Sequence, residues 1–243
     1  MSTQALPSAR HVMQRALQFY RAVKTIEMDT DDVRQTGERT DHYRFLYRWR
    51  VPDLFYTAIV SGQETGWALS QGPTGVRSRQ KQGLPVEVLS SSAPDTPFPL
   101  VIEYPGGGSY SPWNLASLKY RAVAPRVTAR VTREQHGRVI TDHLHWEYPG
   151  TIPIGVARAN PQNAGPILAT DQTPPTVTED WWFRESDGAV VEQFISGRGV
   201  ILNTGVRGGK PETGAGIPYS RRITLLRDRV NIPLPETAYQ IPE

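Results

Sequence analysis

One stretch near the N-terminus carries apolar residues at helical spacing. From Ser8, a suitable N-cap, Val12, Met13, Ala16, Leu17, Tyr20 and Val23 fall on one side of a predicted helix, while Arg10, Gln14, Arg15, Arg21 and Lys24 occupy most of the rest. Such a stripe needs a broad apolar partner, and a sheet supplies one. After Glu38 the period changes to two. Tyr43, Phe45, Tyr47 and Trp49 alternate with Arg44, Leu46, Arg48 and Arg50, which sends four aromatic rings to one face of a strand.

Further strands are predicted at Leu54–Val60, Gly66–Ser70, Val76–Lys81 and Pro85–Leu89, separated by Gly- and Pro-bearing turns. Two hairpins follow. Arg126–Arg133 and Arg138–Tyr148 flank Gly137, and Asp180–Glu185 and Ala189–Ile195 flank the turn dipeptide Asp187-Gly188. Arg221–Val230 is the last predicted strand. Between them, Pro105–Ser109 reads as a flexible loop and Ser111–Leu118 as a short helical segment. Pro149–Thr178 and Gly197–Tyr219 lack periodicity and read as two long loops of a single domain over residues 1–243. Many short strands, with 21 Gly and 21 Pro, point to a mainly β fold with little helix.

Composition narrows the chemistry. A chain of 243 residues can bury a core unaided, and the absence of cysteine removes disulfides, thiolate metal sites and cysteine nucleophiles. No run approaches the roughly 20 apolar residues of a membrane-spanning helix. A formal net charge of +3 is too small to argue for a nucleic-acid partner. The aromatics and arginines of Tyr43–Arg50 also lie on opposite faces, which is the wrong arrangement for stacking bases along a basic groove.

Motifs for catalysis and cofactors fail on inspection. Gly209-Lys210 has Thr204 where a phosphate loop needs glycine, and Pro211 where it needs Ser or Thr. No helix follows Gly197-Arg198-Gly199, so no dinucleotide fingerprint is present. Gly106–Ser109 lacks a nucleophile elbow. Asp31 and Asp32 form an adjacent carboxylate pair of a kind common on surfaces. His143 and His145 share a strand face, but Asp142 points to the other, and no third metal ligand is evident nearby. The expectation is a binding protein with no catalytic residues, metal or cofactor.

The order of features resembles the periplasmic lipoprotein-carrier superfamily of LolA and LolB and the related outer-membrane lipoprotein-sorting proteins. Its N-terminal helix with a tyrosine is matched by Ala16-Leu17-Gln18-Phe19-Tyr20. Arg50-Val51-Pro52, Leu54-Phe55-Tyr56 and Trp67 look like its basic residue and proline, aromatic strand and tryptophan. Trp181-Trp182-Phe183 to Asp187-Gly188 is similar to its late hairpin, and Tyr239-Gln240-Ile241-Pro242 to its ending. Two departures stand out: Val51 separates the arginine from the proline, and Ser61-Gly62 replaces the Asp-Gly turn with an extra residue of spacing.

The resemblance implies a strongly curved antiparallel half-barrel, closed by the N-terminal helix and the short helical segment over an apolar cavity. It implies carriage of a lipid, acyl chain or lipoprotein, with peripheral membrane contact and a periplasmic or cell-envelope location reached through an export signal outside this sequence. The expected ligand-binding residues are Tyr43, Phe45, Tyr47 and Trp49 on the cavity wall, Trp67, and Arg50 as a head-group contact at the rim. The other class of function that related folds serve is an envelope regulatory, sensor or protein-interaction module.

Overall fold

The computed structural model of the chain describes residues 6–51, 54–62, 66–71, 76–81, 87–90, 112–113, 128–157, 175–203 and 216–239. The helix forms where the apolar stripe predicts it. α1 (Ala9–Ala22) is capped by Ser8, whose hydroxyl accepts from the His11 amide at 3.2 Å. Its buried side is Val12, Met13, Ala16 and Tyr20.

The strands follow in chain order as β1 (Thr25–Thr36), β2 (Arg39–Arg50), β3 (Leu54–Ser61), β4 (Gly66–Gln71), β5 (Val76–Lys81) and β6 (Glu87–Ser90), then β7 (Thr128–His136), β8 (Val139–Pro149), β9 (Ile152–Ala157), β10 (Thr176–Arg184), β11 (Val190–Asn203) and β12 (Ile217–Val230). All belong to one sheet in the order β6-β5-β4-β3-β2-β1-β12-β11-β10-β8-β7, with β9 pairing β11 off this path. Among the described strands every neighbour along the main path is antiparallel, and only β9 runs parallel to its partner. The sheet is not closed: among the described residues, β6 and β7 end it without meeting each other.

The helix packing requires the sheet to curl. Phe55 on β3 and Leu144 on β8 belong to one buried cluster with the helix residues, although six strand steps separate them. At about 4.8 Å per step a flat sheet would hold them nearly 30 Å apart, whereas a helix is only about 10 Å across. Tyr20 makes the same point. Its hydroxyl accepts from the Val190 amide of β11 at 3.2 Å, while its ring lies 6.5 Å from that of Trp49 on β2. The fold is therefore an open, curved antiparallel sheet with α1 against its inner face.

Two sequence expectations change, and a third falls almost wholly outside the described residues. The central strand β1 was unpredicted, because an acid-rich stretch is a poor strand former in isolation. Its acids are held from both sides: Glu27 by Arg48 and Arg229, Asp29 by Arg44, Asp31 by His42 and Asp32 by Arg34 and Arg221. The predicted long loops are shorter than expected. Strand β9 lies inside the first, and β11 and β12 take up both ends of the second. The predicted helix at 111–118 and the loop at 105–109 lie outside the described residues, except for Pro112 and Trp113; Trp113 is fully buried in the core.

Candidate functional site

The aromatic row of β2 lies on the inner face, as its alternation requires. Trp49, Tyr47, Phe45 and Tyr43 stand opposite Ile26, Met28, Thr30 and Asp32 of β1. Neighbouring rings touch along the strand, with centroids 5.8 Å apart from Phe45 to Tyr47 and 6.0 Å from Tyr43 to Phe45. Burial falls steadily outward. Trp49 is fully enclosed beneath α1 and Tyr47 nearly so, while Phe45 and Tyr43 are half-buried. Thr30, opposite Phe45, is wholly buried, and its hydroxyl has no hydrogen-bond partner among the described residues.

A charged cluster occupies the outer end of the row. Asp32 is 1% exposed and accepts from Arg34 at 2.7 Å and from Arg221 of β12 at 2.7 Å. Burial alone would push its carboxyl up. The Arg221 and Arg34 guanidiniums outweigh that effect and hold its pKa down to about 2. The Arg34 guanidinium also lies over the Tyr43 ring at 5.2 Å and the Phe45 ring at 6.0 Å. The hydroxyls of Tyr47 and Tyr219 titrate above their ordinary range, chiefly because they are buried. The inner face thus presents a row of contacting rings ending in two guanidiniums bridged by one carboxylate. Sequence reasoning missed Arg34 and Arg221 and took Asp32 for a surface carboxylate, whereas it is buried, because the strand that carries Asp32 and Arg34 was itself missed.

The remaining predicted site residues are set apart. Arg50 and Trp67 project from the outer face. Trp67 packs with Leu54, Tyr56, Leu69 and Tyr239 in a second apolar cluster, and the Arg50 guanidinium lies 5.9 Å from the Tyr239 ring. The physical reason is parity. Arg50 is one residue beyond Trp49, and Trp67 pairs with Ala58, which alternates away from the inner-face Phe55. This cluster is covered by the C-terminal 3-10 turn Glu236–Tyr239.

The histidine pair also faces outward, and it finds a partner that the sequence did not disclose. Asp180 of β10 places Oδ1 2.7 Å from His143 Nε2 and 2.8 Å from His145 Nδ1. Burial raises the Asp180 pKa, but the two imidazoles outweigh it and leave it lowered. Trp182 stacks on His143 at 4.4 Å and donates to Glu134. Among the described residues no group of three or more His, Asp or Glu side chains is arranged to hold a metal ion. Asp142 points inward as expected, where it is fully buried and accepts from Arg15 of α1 at 2.8 Å and from Arg133 at 3.1 Å.

No family model and no curated protein matches the chain. Several solved structures are similar to it. The Pseudomonas aeruginosa MucA/MucB complex matches over 96% of this chain at 10% identity and a TM-score of 0.44. This chain spans 61% of the matched protein's length. LprF from Mycobacterium bovis matches over 95% of this chain and 97% of its own at 8% identity and a TM-score of 0.40. A LolA superfamily protein from Nitrosomonas europaea matches over 97% and 98% at 7% identity and a TM-score of 0.36. No helix among the described residues is long and apolar enough to cross a membrane.

Proposed function

We propose that this protein binds the acyl part of a lipid or lipoprotein on the inner face of its sheet, without making or breaking bonds, in the periplasm or cell envelope. The observation that carries this reading is the graded row from Trp49 to Tyr43, which runs out from beneath α1 and becomes partly exposed at Phe45 and Tyr43. A ligand laid along that row extends the apolar contact that the helix makes at its inner end. Arg34, over the outer rings, takes the head-group role first expected of Arg50.

The energetics suffice. An acyl chain gains about 0.8 kcal/mol per buried methylene. Roughly twelve methylenes therefore gain about 9 kcal/mol before ordering costs, which supports binding in the micromolar range once modest losses are subtracted. A fluorescent fatty-acid analogue titrated into the protein is expected to bind saturably. Phe45→Asp should abolish binding with the circular dichroism spectrum retained, and Arg50→Ala, on the other face, should leave it unchanged. Loss with Arg50→Ala but not with Phe45→Asp would overturn the reading.

A further inference from the structure

The outer face carries a second feature, independent of the aromatic row. Arg44 and Arg48 of β2 and Arg227 and Arg229 of β12 flank β1, and between them lie the recessed carboxylates of Glu27 and Asp29. These groups line a depression of about 400 Å³. Through Glu27, Arg48 and Arg229 it continues into a second of about 430 Å³ bordered by Ile232–Pro235.

Its charges do not balance, since four guanidiniums face two carboxylates. Glu27 alone is shared by Arg48 at 2.8 Å, Arg229 at 3.0 Å and Arg227 at 3.5 Å, while Asp29 pairs with Arg44 at 2.8 Å. The acids are sunk, with side chains 4% and 9% exposed, whereas Arg44, Arg227 and Arg229 are 48%, 58% and 48% exposed. A visitor to the groove therefore meets cations. A guanidinium carries five N–H donors in a planar fork suited to carboxylates.

The spacing identifies the visitor. Glu27 and Asp29 are alternate residues of an extended strand, so their side chains leave the same face about 6.6 Å apart. Two arginine rows, about 10 Å apart across β1, already grip that pattern from both sides. We propose that the outer groove docks an acidic peptide segment in extended conformation, with Asp or Glu at alternate positions meeting Arg44, Arg48, Arg227 and Arg229. The recess argues for a peptide over an anionic membrane surface, because a flat bilayer reaches protruding cations better than ones gathered round a depression.

The test uses a fluorescein-labelled hexapeptide alternating threonine and glutamate, followed by anisotropy with the full chain at low and physiological salt. Saturable binding that weakens with salt is expected. Arg44→Gln/Arg227→Gln should weaken it at least tenfold. Arg222→Gln removes another half-exposed arginine outside the groove lining and should change it less than twofold. A lysine-for-glutamate peptide should not bind. If the glutamine pair fails to fold, Arg44→Lys/Arg227→Lys keeps the charge but loses the fork, and should still weaken binding severalfold. The proposal is overturned by absence of peptide binding, by equal loss with Arg222→Gln, by full displacement with millimolar inorganic phosphate, or by tighter retention on phosphatidylglycerol vesicles than on the peptide.

Discussion

Asp32 sits where two strands of unlike origin converge, and its chemistry is set by what they bring. Its pKa of about 2 lies below the ordinary 3.8, so the folded state binds this proton less readily than the unfolded chain does. The stability this contributes is fully present above about pH 4 and is lost as pH falls through 2. A difference of nearly two pKa units corresponds to roughly 2 kcal/mol. Glu27, Asp29 and Asp180 are shifted in the same direction and steepen the same acid limb. Urea unfolding between pH 2 and 6 should show stability falling below pH 4. Asp32→Asn should flatten part of that fall and cost about 3 kcal/mol at pH 7, because Arg34 and Arg221 then face each other without a counter-charge. An unchanged slope in Asp32→Asn would assign the acid sensitivity elsewhere.

At the level of elements, the junction of α1 with the β10–β11 hairpin deserves a direct measurement. Gly188 adopts φ +85°, and a Cβ there would stand 3.0 Å from the Arg15 carbonyl carbon. The turn thus needs glycine both for its left-handed conformation and for the close approach of the helix. Tyr20 ties the same helix to the Val190 amide, and Arg15 ties it to Asp142. Gly188→Ala is expected to cost more than about 1 kcal/mol, since strain and crowding add. Tyr20→Phe should cost about 1–2 kcal/mol by leaving a buried amide unpaired. Both are measurable as shifts of the urea midpoint. If the Gly188→Ala chain is as stable as the parent, the helix does not press on this turn.

For the whole molecule, curvature gives the sheet two unlike faces. The inner one is aromatic and covered at one end by α1, while the outer one carries the carboxylate–arginine ladder, the histidine pair and the cluster around Tyr239. Under the proposed function, native mass spectrometry of freshly purified protein should show an added mass in the lipid range. Mild organic extraction should remove it, and Phe45→Asp should lack it. Protein that emerges at its bare sequence mass from the first purification, with no affinity for added fatty acid, would count against the inner-face reading.

The period-two run from Tyr43 to Trp49 determined by itself that four rings share one face, because alternation is a property of the strand and needs no partner. Ser8 and the stripe from Val12 to Val23 likewise determined the helix, and Asp187-Gly188 the late hairpin. The strand β1 was hidden, because Glu27, Asp29, Asp31 and Asp32 suit a strand only when arginines, most of them distant in sequence, pair with three of them and His42 hydrogen-bonds Asp31. Arg50 and Trp67 were grouped with the row by resemblance; alternation along β2 alone puts Arg50 on the opposite face, and pairing with β3 puts Trp67 there. Asp180 joined His143 and His145 only through β8–β10 pairing. Local spacing fixes which side chains of one strand travel together, but the partners that turn those side chains into a site come from strands whose order and register are settled by packing the entire sheet around one helix.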